Sequence, residues 1–348
     1  MRNRISSFAA LTAILCLVLL IGACSGTTSS TNNPAQHNDN AQSAQTGEQR
    51  QETGQSEEAV PASKFPRTIK DANGEVTIEE EPERIAVVHW GYADSLLLFD
   101  LKSVALALPF TEKQSVLHTE SYKPYVDKLE ELVIVGENTT VNLEALLAYG
   151  PDLIIAGNSV NKEITGELSR IATTVVIDEE ETNVWNDWPS LVTKFGEILG
   201  QEDVAERYIA EFREKVKDAK EKLAGLEGTV AFVQVREKEV WLQGTDYLKT
   251  YYDGLGLKAP DADIMKEGAQ ITLEGLSTLD PDHLFLGYFN YSDKSIPALT
   301  DEWDDTAVWS KLKSVRNNHV YSINGELALG YGPIGQTYGV ESVLKALK

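Results

Sequence analysis

The sequence predicts an α/β protein of two lobes, each built on a parallel-type sheet, joined by one long rigid helix. Three observations point there. Short apolar runs of strand length alternate with helix-like segments from residue 65 onward. A charged, helix-periodic stretch separates two such sets. One segment is also written twice: "NLEALLAYGPDLIIAG" at 142–157 returns as "TLEGLSTLDPDHLFLG" at 272–287, with six of sixteen positions identical at a constant offset of 130 residues.

In the first set, "RIAVVH" (84–89), "ELVIVG" (131–136), "DLIIAG" (152–157) and "TTVVID" (173–178) read as buried parallel strands, with a helical stretch from Ala93 to Phe99 after the first. In the second, "TVAFVQV" (229–235), "DHLFLG" (282–287) and "HVYSIN" (319–324) play the same part, and a last helix runs from Thr337 to Leu347. Between the sets, Val204, Tyr208, Phe212, Val216 and Leu223 recur at helical spacing among charged residues, until Gly225 and Gly228 end the pattern. A single helix between two lobes leaves few backbone dihedrals free and permits only small motions. The expected division is a first lobe over 65–186, a connecting helical segment over 187–226 and a second lobe over 227–348.

The preceding residues read differently. Arg2 and Arg4 open a short basic start, an apolar run covers 8–21, and Gly22-Ala23 precede Cys24, the pattern of an export signal over residues 1–23. The stretch Leu20-Ile21-Gly22-Ala23-Cys24 resembles a bacterial lipoprotein box, whose cysteine is acylated. Cys16, the other of the two cysteines, lies inside the removed segment, so Cys24 has no disulfide partner. Residues 24–64 are rich in Ser, Thr, Asn, Gln and Gly and too poor in large apolar side chains to offset their chain entropy; they read as a disordered tether.

The formal net charge of −23 argues against nucleic acid as a partner. Enzyme signatures are missing: there is no HExxH, GxSxG or P-loop. "GYGPIG" (330–335) matches GxGxxG, but Pro333 interrupts it and no acidic residue follows at the required spacing. His89, His118, His283 and His319 are too scattered to supply a zinc-type ligand set, and His283 and His319 read as core or strand-edge residues. No cofactor is expected.

Ligands of open α/β sheets gather beyond the carboxyl ends of the strands. By that rule the candidates are Trp90 and Tyr92 after the first strand, Asn158 after Gly157, Trp241 and Tyr247 after "TVAFVQV", Tyr288, Asn290 and Tyr291 after Gly287, and Tyr331 in the glycine-rich loop. His89 ends the first strand, where it could face core or cleft. Arg236 stands just past a buried strand, and its five donors in a fixed fork suit metal-bound hydroxamate, carboxylate or catecholate oxygens; the alternative is a surface Arg paired with Glu237 or Glu239.

The doubled segment, "LSRIATTVVID" (168–178), "YLKTYYDGLGLKAP" (247–260) and "WSKLKSVRNNHVYSIN" (309–324), with the bridging helix, resemble the substrate-binding lipoproteins of ABC importers for ferric siderophores, haem and vitamin B12. The resemblance covers nearly all of 65–348. It implies the siderophore/B12-type binding protein fold, and a monomer held on the extracytoplasmic face of the cell membrane by its lipid. A shallow cleft would take a preformed iron(III) complex for delivery to two permease subunits and their ATPase. In that family one Glu per lobe docks into the permease, and Glu144 and Glu274 match. A helix start also favours a negative charge there, by about 0.3–1 kcal/mol. A matching Arg236 binds the iron centre in several members. Catecholate-binding relatives add first-lobe lysines where this chain has Asn138 and Val160, so a hydroxamate or mixed citrate-hydroxamate complex is favoured. A haem or corrinoid receptor, or a lobe pair that senses or scaffolds without transport, are the alternatives.

Overall fold

A computed structural model describes residues 64–183 and 185–348. The export signal expected over 1–23, the acylated Cys24 and the tether, save Lys64, lie outside the described residues. A hairpin of β1 (Arg67–Asp71) and β2 (Gly74–Ile78), which the sequence pattern did not announce, comes first. Asp71 ties it to the first lobe by accepting the amide of Val176 at 3.0 Å.

The first lobe carries a six-stranded sheet of β3 (Arg84–Val87), β4 (Ser103–Ala107), β5 (Glu131–Glu137), β6 (Thr140–Val141), β7 (Leu153–Gly157) and β8 (Thr173–Ile177), in the spatial order β6-β5-β4-β3-β7-β8. Only the β5–β6 pair is antiparallel. Strand β4 was not expected as a strand, although all five of its residues are buried. The second lobe holds β9 (Val230–Val235), β10 (Val240–Gln243), β11 (Gly268–Gln270), β12 (His283–Tyr288) and β13 (Val320–Asn324), ordered β11-β10-β9-β12-β13. Here the parallel-type sheet carries an antiparallel edge: β9, β12 and β13 are parallel, but β10 turns back antiparallel and pairs with β11 the same way. Four residues suffice for that turn, whereas a parallel partner would need a crossover of a dozen or more.

In each lobe the strand order reverses at the first parallel strand, β3 or β9, where binding crevices form in such sheets. The doubled segment explains how those strands are held. Its helices are Leu143–Tyr149 and Leu273–Leu279, capped by Asn142 accepting from the amide of Ala145 (3.0 Å) and Thr272 from that of Gly275 (3.2 Å). Leu146 and Leu276 are both fully buried beneath them. The repeated aspartates then clamp the start of the neighbouring strand. Asp152 accepts the amides of Glu83 (2.8 Å) and Arg84 (3.0 Å), and Asp282 accepts the amide and hydroxyl of Thr229 (2.8 and 3.0 Å). Gly157, the last residue of β7, and Gly287, the penultimate residue of β12, leave no room for a side chain: a Cβ would lie 2.2 Å from Glu179 Oε1 in one case and 2.3 Å from Leu329 Cδ1 in the other.

The connecting helix is Glu202–Leu223, about 33 Å long at 1.5 Å per residue. Glu202 and Asp203 in its first turn and Lys220 and Lys222 in its last complement its dipole. Val204, Ala205 and Ile209 enter the first lobe's core, Ala219 and Leu223 the second's, and Phe212 packs against both. A preceding helix, Trp188–Leu199, ends at Gly200 in the left-handed region. The final helix starts at Pro333 rather than Thr337, since proline is well placed in a first turn where its missing N–H is not needed. Leu327 and Ile334, near that start, belong to the first lobe's core cluster, while Val340 and Val343 belong to the second's. Among the described residues no helix is long and apolar enough to cross a membrane.

Candidate functional site

Between the lobes, beyond the carboxyl ends of β3, β4, β9 and β12, lies a cavity of about 330 Å³. The first lobe contributes Trp90 after β3 and Leu108, Pro109 and Phe110 after β4; the second contributes Arg236 after β9 and Phe289 after β12. Tyr247, Glu326 and Tyr331 complete the wall around Arg236. Rings from both lobes meet at its side: Trp185 lies 4.8 Å from Trp90 and 4.5 Å from Tyr331, centroid to centroid. A largely apolar wall interrupted by a few polar groups is the usual make-up of a small-molecule site.

Arg236 is half-buried, with its guanidinium carbon 4.6 Å from the centroid of the Phe289 ring. Its backbone is pinned by a hydrogen bond to the carbonyl of Glu239 (3.0 Å) and another from the amide of Leu299 (2.9 Å). Its Nε is buried without a hydrogen-bond partner, and among the described residues it forms no ion pair with Glu237, Glu239 or another carboxylate. A buried unpaired donor on a fixed cation is a strong attractor for anionic oxygen.

Two carboxyl groups share the cavity. Burial pushes Asp94 up to about 6, against the hydrogen bonds it accepts from the Tyr122 hydroxyl and the amides of Ile334 and Gly335. Asp94 therefore caps the final helix from the opposite lobe, which fixes the cavity floor. Burial also pushes Glu326 up to about 7, while the charge of Arg236 acts the other way. Glu326 sits in the first turn of the helix Gly325–Ala328, where the Asn324 side chain accepts the amides of Glu326 (3.1 Å) and Leu327 (3.3 Å).

Of the residues anticipated at the cleft, Arg236, Trp90, Tyr247 and Tyr331 come together on the cavity wall. Tyr247 also donates its hydroxyl to the Leu329 carbonyl at 3.0 Å. His89 and Tyr92 do not reach the wall. Both are fully buried and stack at 3.7 Å, and Gly91 donates its amide to His89 Nδ1 at 3.0 Å. Asn158 is spent on the neighbouring loop, donating to Asp178 (3.3 Å) and accepting from the amide of Glu179 (3.1 Å). Trp241 lies on β10, opposite Gln234, a wall residue, so the two share a sheet face though Trp241 stands outside the lining. Tyr288 accepts from the Thr300 hydroxyl at 3.2 Å, Asn290 is buried and donates to the Ile296 carbonyl, and Tyr291 is exposed with Lys294 Nζ 5.2 Å from its ring. Sequence reasoning missed Phe289, Glu326 and the Leu108–Phe110 wall. The last follows β4, so recognising that strand would have found it.

Burial holds the His89 imidazole below its ordinary range, and Glu179, with Oε2 3.7 Å from His89 Nε2, only partly offsets this. A depressed histidine is neutral in the fold and protonated in the unfolded chain, so its stabilisation is present above about pH 6.5 and declines as pH falls below it. Thermal unfolding from pH 8 to 5 is expected to show a steeper loss for the parent protein than for His89→Asn, whose amide oxygen keeps an acceptor for Gly91. Parallel curves would refute this.

Residues 85–327 match the sequence family described as periplasmic binding protein. The chain belongs to that family. Across nearly its whole length this periplasmic binding protein is 27% identical to the iron(3+)-hydroxamate-binding protein YxeB of Bacillus subtilis, with 96% of this chain and 94% of that one aligned. It is 28% identical to the Fe(3+)-citrate-binding protein YfmC of the same organism over 74% of this chain and 78% of that one. The crystal structure of the petrobactin-binding protein YclQ of Bacillus subtilis has the same fold, with a TM-score of 0.65 over 82% of this chain and 99% of that one at 21% identity.

Proposed function

We propose that this periplasmic binding protein is the extracytoplasmic receptor for a ferric siderophore, a hydroxamate or mixed citrate-hydroxamate complex, which it delivers to an ABC permease for iron uptake. Arg236 carries the reading. An unpaired guanidinium in an aromatic-walled cavity between two lobes suits the negative oxygens around a preformed iron(III) complex, with the rings covering its apolar periphery. The printed ligands of YxeB and YfmC, a ferric hydroxamate and ferric citrate, support the same class. The iron complex is cargo, and no resident cofactor is invoked.

Fluorescence of the purified protein titrated with ferric hydroxamates, ferric citrate, ferric catecholates, haem and cobalamin tests this, with Trp90 on the wall as reporter. Quenching by a hydroxamate or citrate-type complex at the lowest concentration is expected. Quenching by haem or cobalamin alone overturns it.

Delivery completes the proposal. Glu144 and Glu274, exposed at equivalent helix starts, dock on the two permease subunits. Acylated Cys24 anchors the chain, and Cys24→Ala is expected to move it from the membrane to the soluble fraction with its ligand binding intact. Retention of that variant in washed membranes would rule the anchor out.

A further inference from the structure

We propose that Glu326 is a charge-selecting residue of the ligand cavity, favouring iron complexes whose metal-bound oxygens meet Arg236 while a protonated amine meets Glu326, over those that present an uncoordinated carboxylate or catecholate to Glu326. The inference deepens the siderophore reading and rests on it. Three charged side chains line the cavity: Asp94, Arg236 and Glu326. Asp94 is accounted for, since Tyr122 and the amides of Ile334 and Gly335 take up its oxygens. Arg236 offers its fork to the metal-bound oxygens. Glu326 is left over: among the described residues its carboxylate has no hydrogen-bond donor and no ion-pair partner, and the nearest charge acting on it is that of Arg236.

Its backbone is held in place. A Cβ on Gly325 would lie 2.3 Å from the Gly287 carbonyl oxygen, so the backbone before Glu326 sits directly on the end of β12, and Asn324 holds the amides of the turn. A half-buried carboxyl with no protein partner, on a backbone held in place, is open to a positive group of the ligand. An ammonium arm would hold it ionised and be repaid by a charge-assisted hydrogen bond, with the rings of Tyr247, Tyr331 and Phe289 nearby to favour a cation. An anionic arm would meet repulsion or force Glu326 to take up a proton, and the single guanidinium of Arg236 cannot balance a strongly anionic complex as well as that residue.

The test uses two ferric complexes of a linear trihydroxamate, one ending in a primary ammonium and the other N-acetylated at that amine, so that only the charge differs. The parent protein at pH 8 is expected to bind the ammonium form about tenfold more tightly, between the range of exposed and desolvated ion pairs. That ratio should approach one in Glu326→Gln and invert in Glu326→Lys. In the parent protein it should shrink at pH 5.5, below the value of about 7 to which burial raises Glu326, and the same pH step in Glu326→Gln separates this from Asp94, raised to about 6 in the same cavity. Binding of both complexes with no discrimination overturns the charge selection and leaves the siderophore reading standing. Discrimination that persists in Glu326→Gln assigns the preference to another group and also overturns it. Binding of neither complex, by a protein that binds another ferric hydroxamate or citrate-type complex, overturns the charge selection and leaves the siderophore reading standing.

Discussion

Arg236→Ala is expected to weaken binding of the preferred ferric complex by about 1.5–3 kcal/mol, roughly ten- to a hundredfold in Kd, the scale of a hydrogen bond to a charged group. The metal-bound oxygens lose a two-pronged donor, whereas the stacking of Arg236 on Phe289, already present without ligand, orients that donor. Arg236→Lys should recover only part of the affinity, because an ammonium is a point charge without the planar fork. Titration of the purified variants by fluorescence quenching separates the possibilities. Curves identical to the parent's would reduce Arg236 to a side chain that merely covers Phe289.

The second large effect concerns transport rather than binding. Glu144→Lys or Glu274→Lys should leave ligand affinity nearly untouched, since both residues sit at exposed helix starts away from the strand ends that shape the cavity. Iron uptake should nevertheless collapse, because a carboxylate facing a basic pocket becomes a like charge, which costs several kcal/mol across an interface. The double reversal should be no worse than the sum of the singles and closer to the larger of them, once docking is already lost. Uptake of the iron complex by cells carrying each variant, set beside ligand binding by the same proteins in vitro, decides it. Normal uptake in both single variants would leave the two glutamates as helix-dipole residues only.

Most of the strands that could be read from the sequence share a property: β3, β7, β8, β9 and β12 are largely buried apolar runs, as strands covered on both faces must be, while β5 and β13 are only partly buried. Strand β4 is just as buried, but "SVALA" is short and alanine-rich and follows the apolar stretch Leu96–Phe99, so local composition does not separate it from a helix. Strands β10 and β11 exist through their partners. "GAQ" has no strand signal of its own and is ordered by pairing with β10. At the site, the rule that ligands collect past strand ends found the correct segments but not always the correct residue. Tyr288, Asn290 and Tyr291 were chosen, and Phe289 is the one on the wall. Which of four consecutive side chains turns inward depends on loop dihedrals that the Asn290–Ile296 hydrogen bond helps to set, and no local pattern encodes them. Glu326 escaped notice for a related reason: a single acid two residues beyond a strand is unremarkable until the fold places it on the cavity wall near Arg236.

The final helix carries a consequence for the order in which the protein can be completed. Leu327 and Ile334 fill the same core as Ile69 and Ile85, and the Asp94 carboxylate waits for amides at 334 and 335. A chain emerging from a ribosome or a translocation pore therefore completes that part of its first lobe's core only after the lobe's sheet has emerged. Residues 331, 332 and 335 also wall the cavity, so the last part of the chain to be made completes both the first lobe's core and the cargo site.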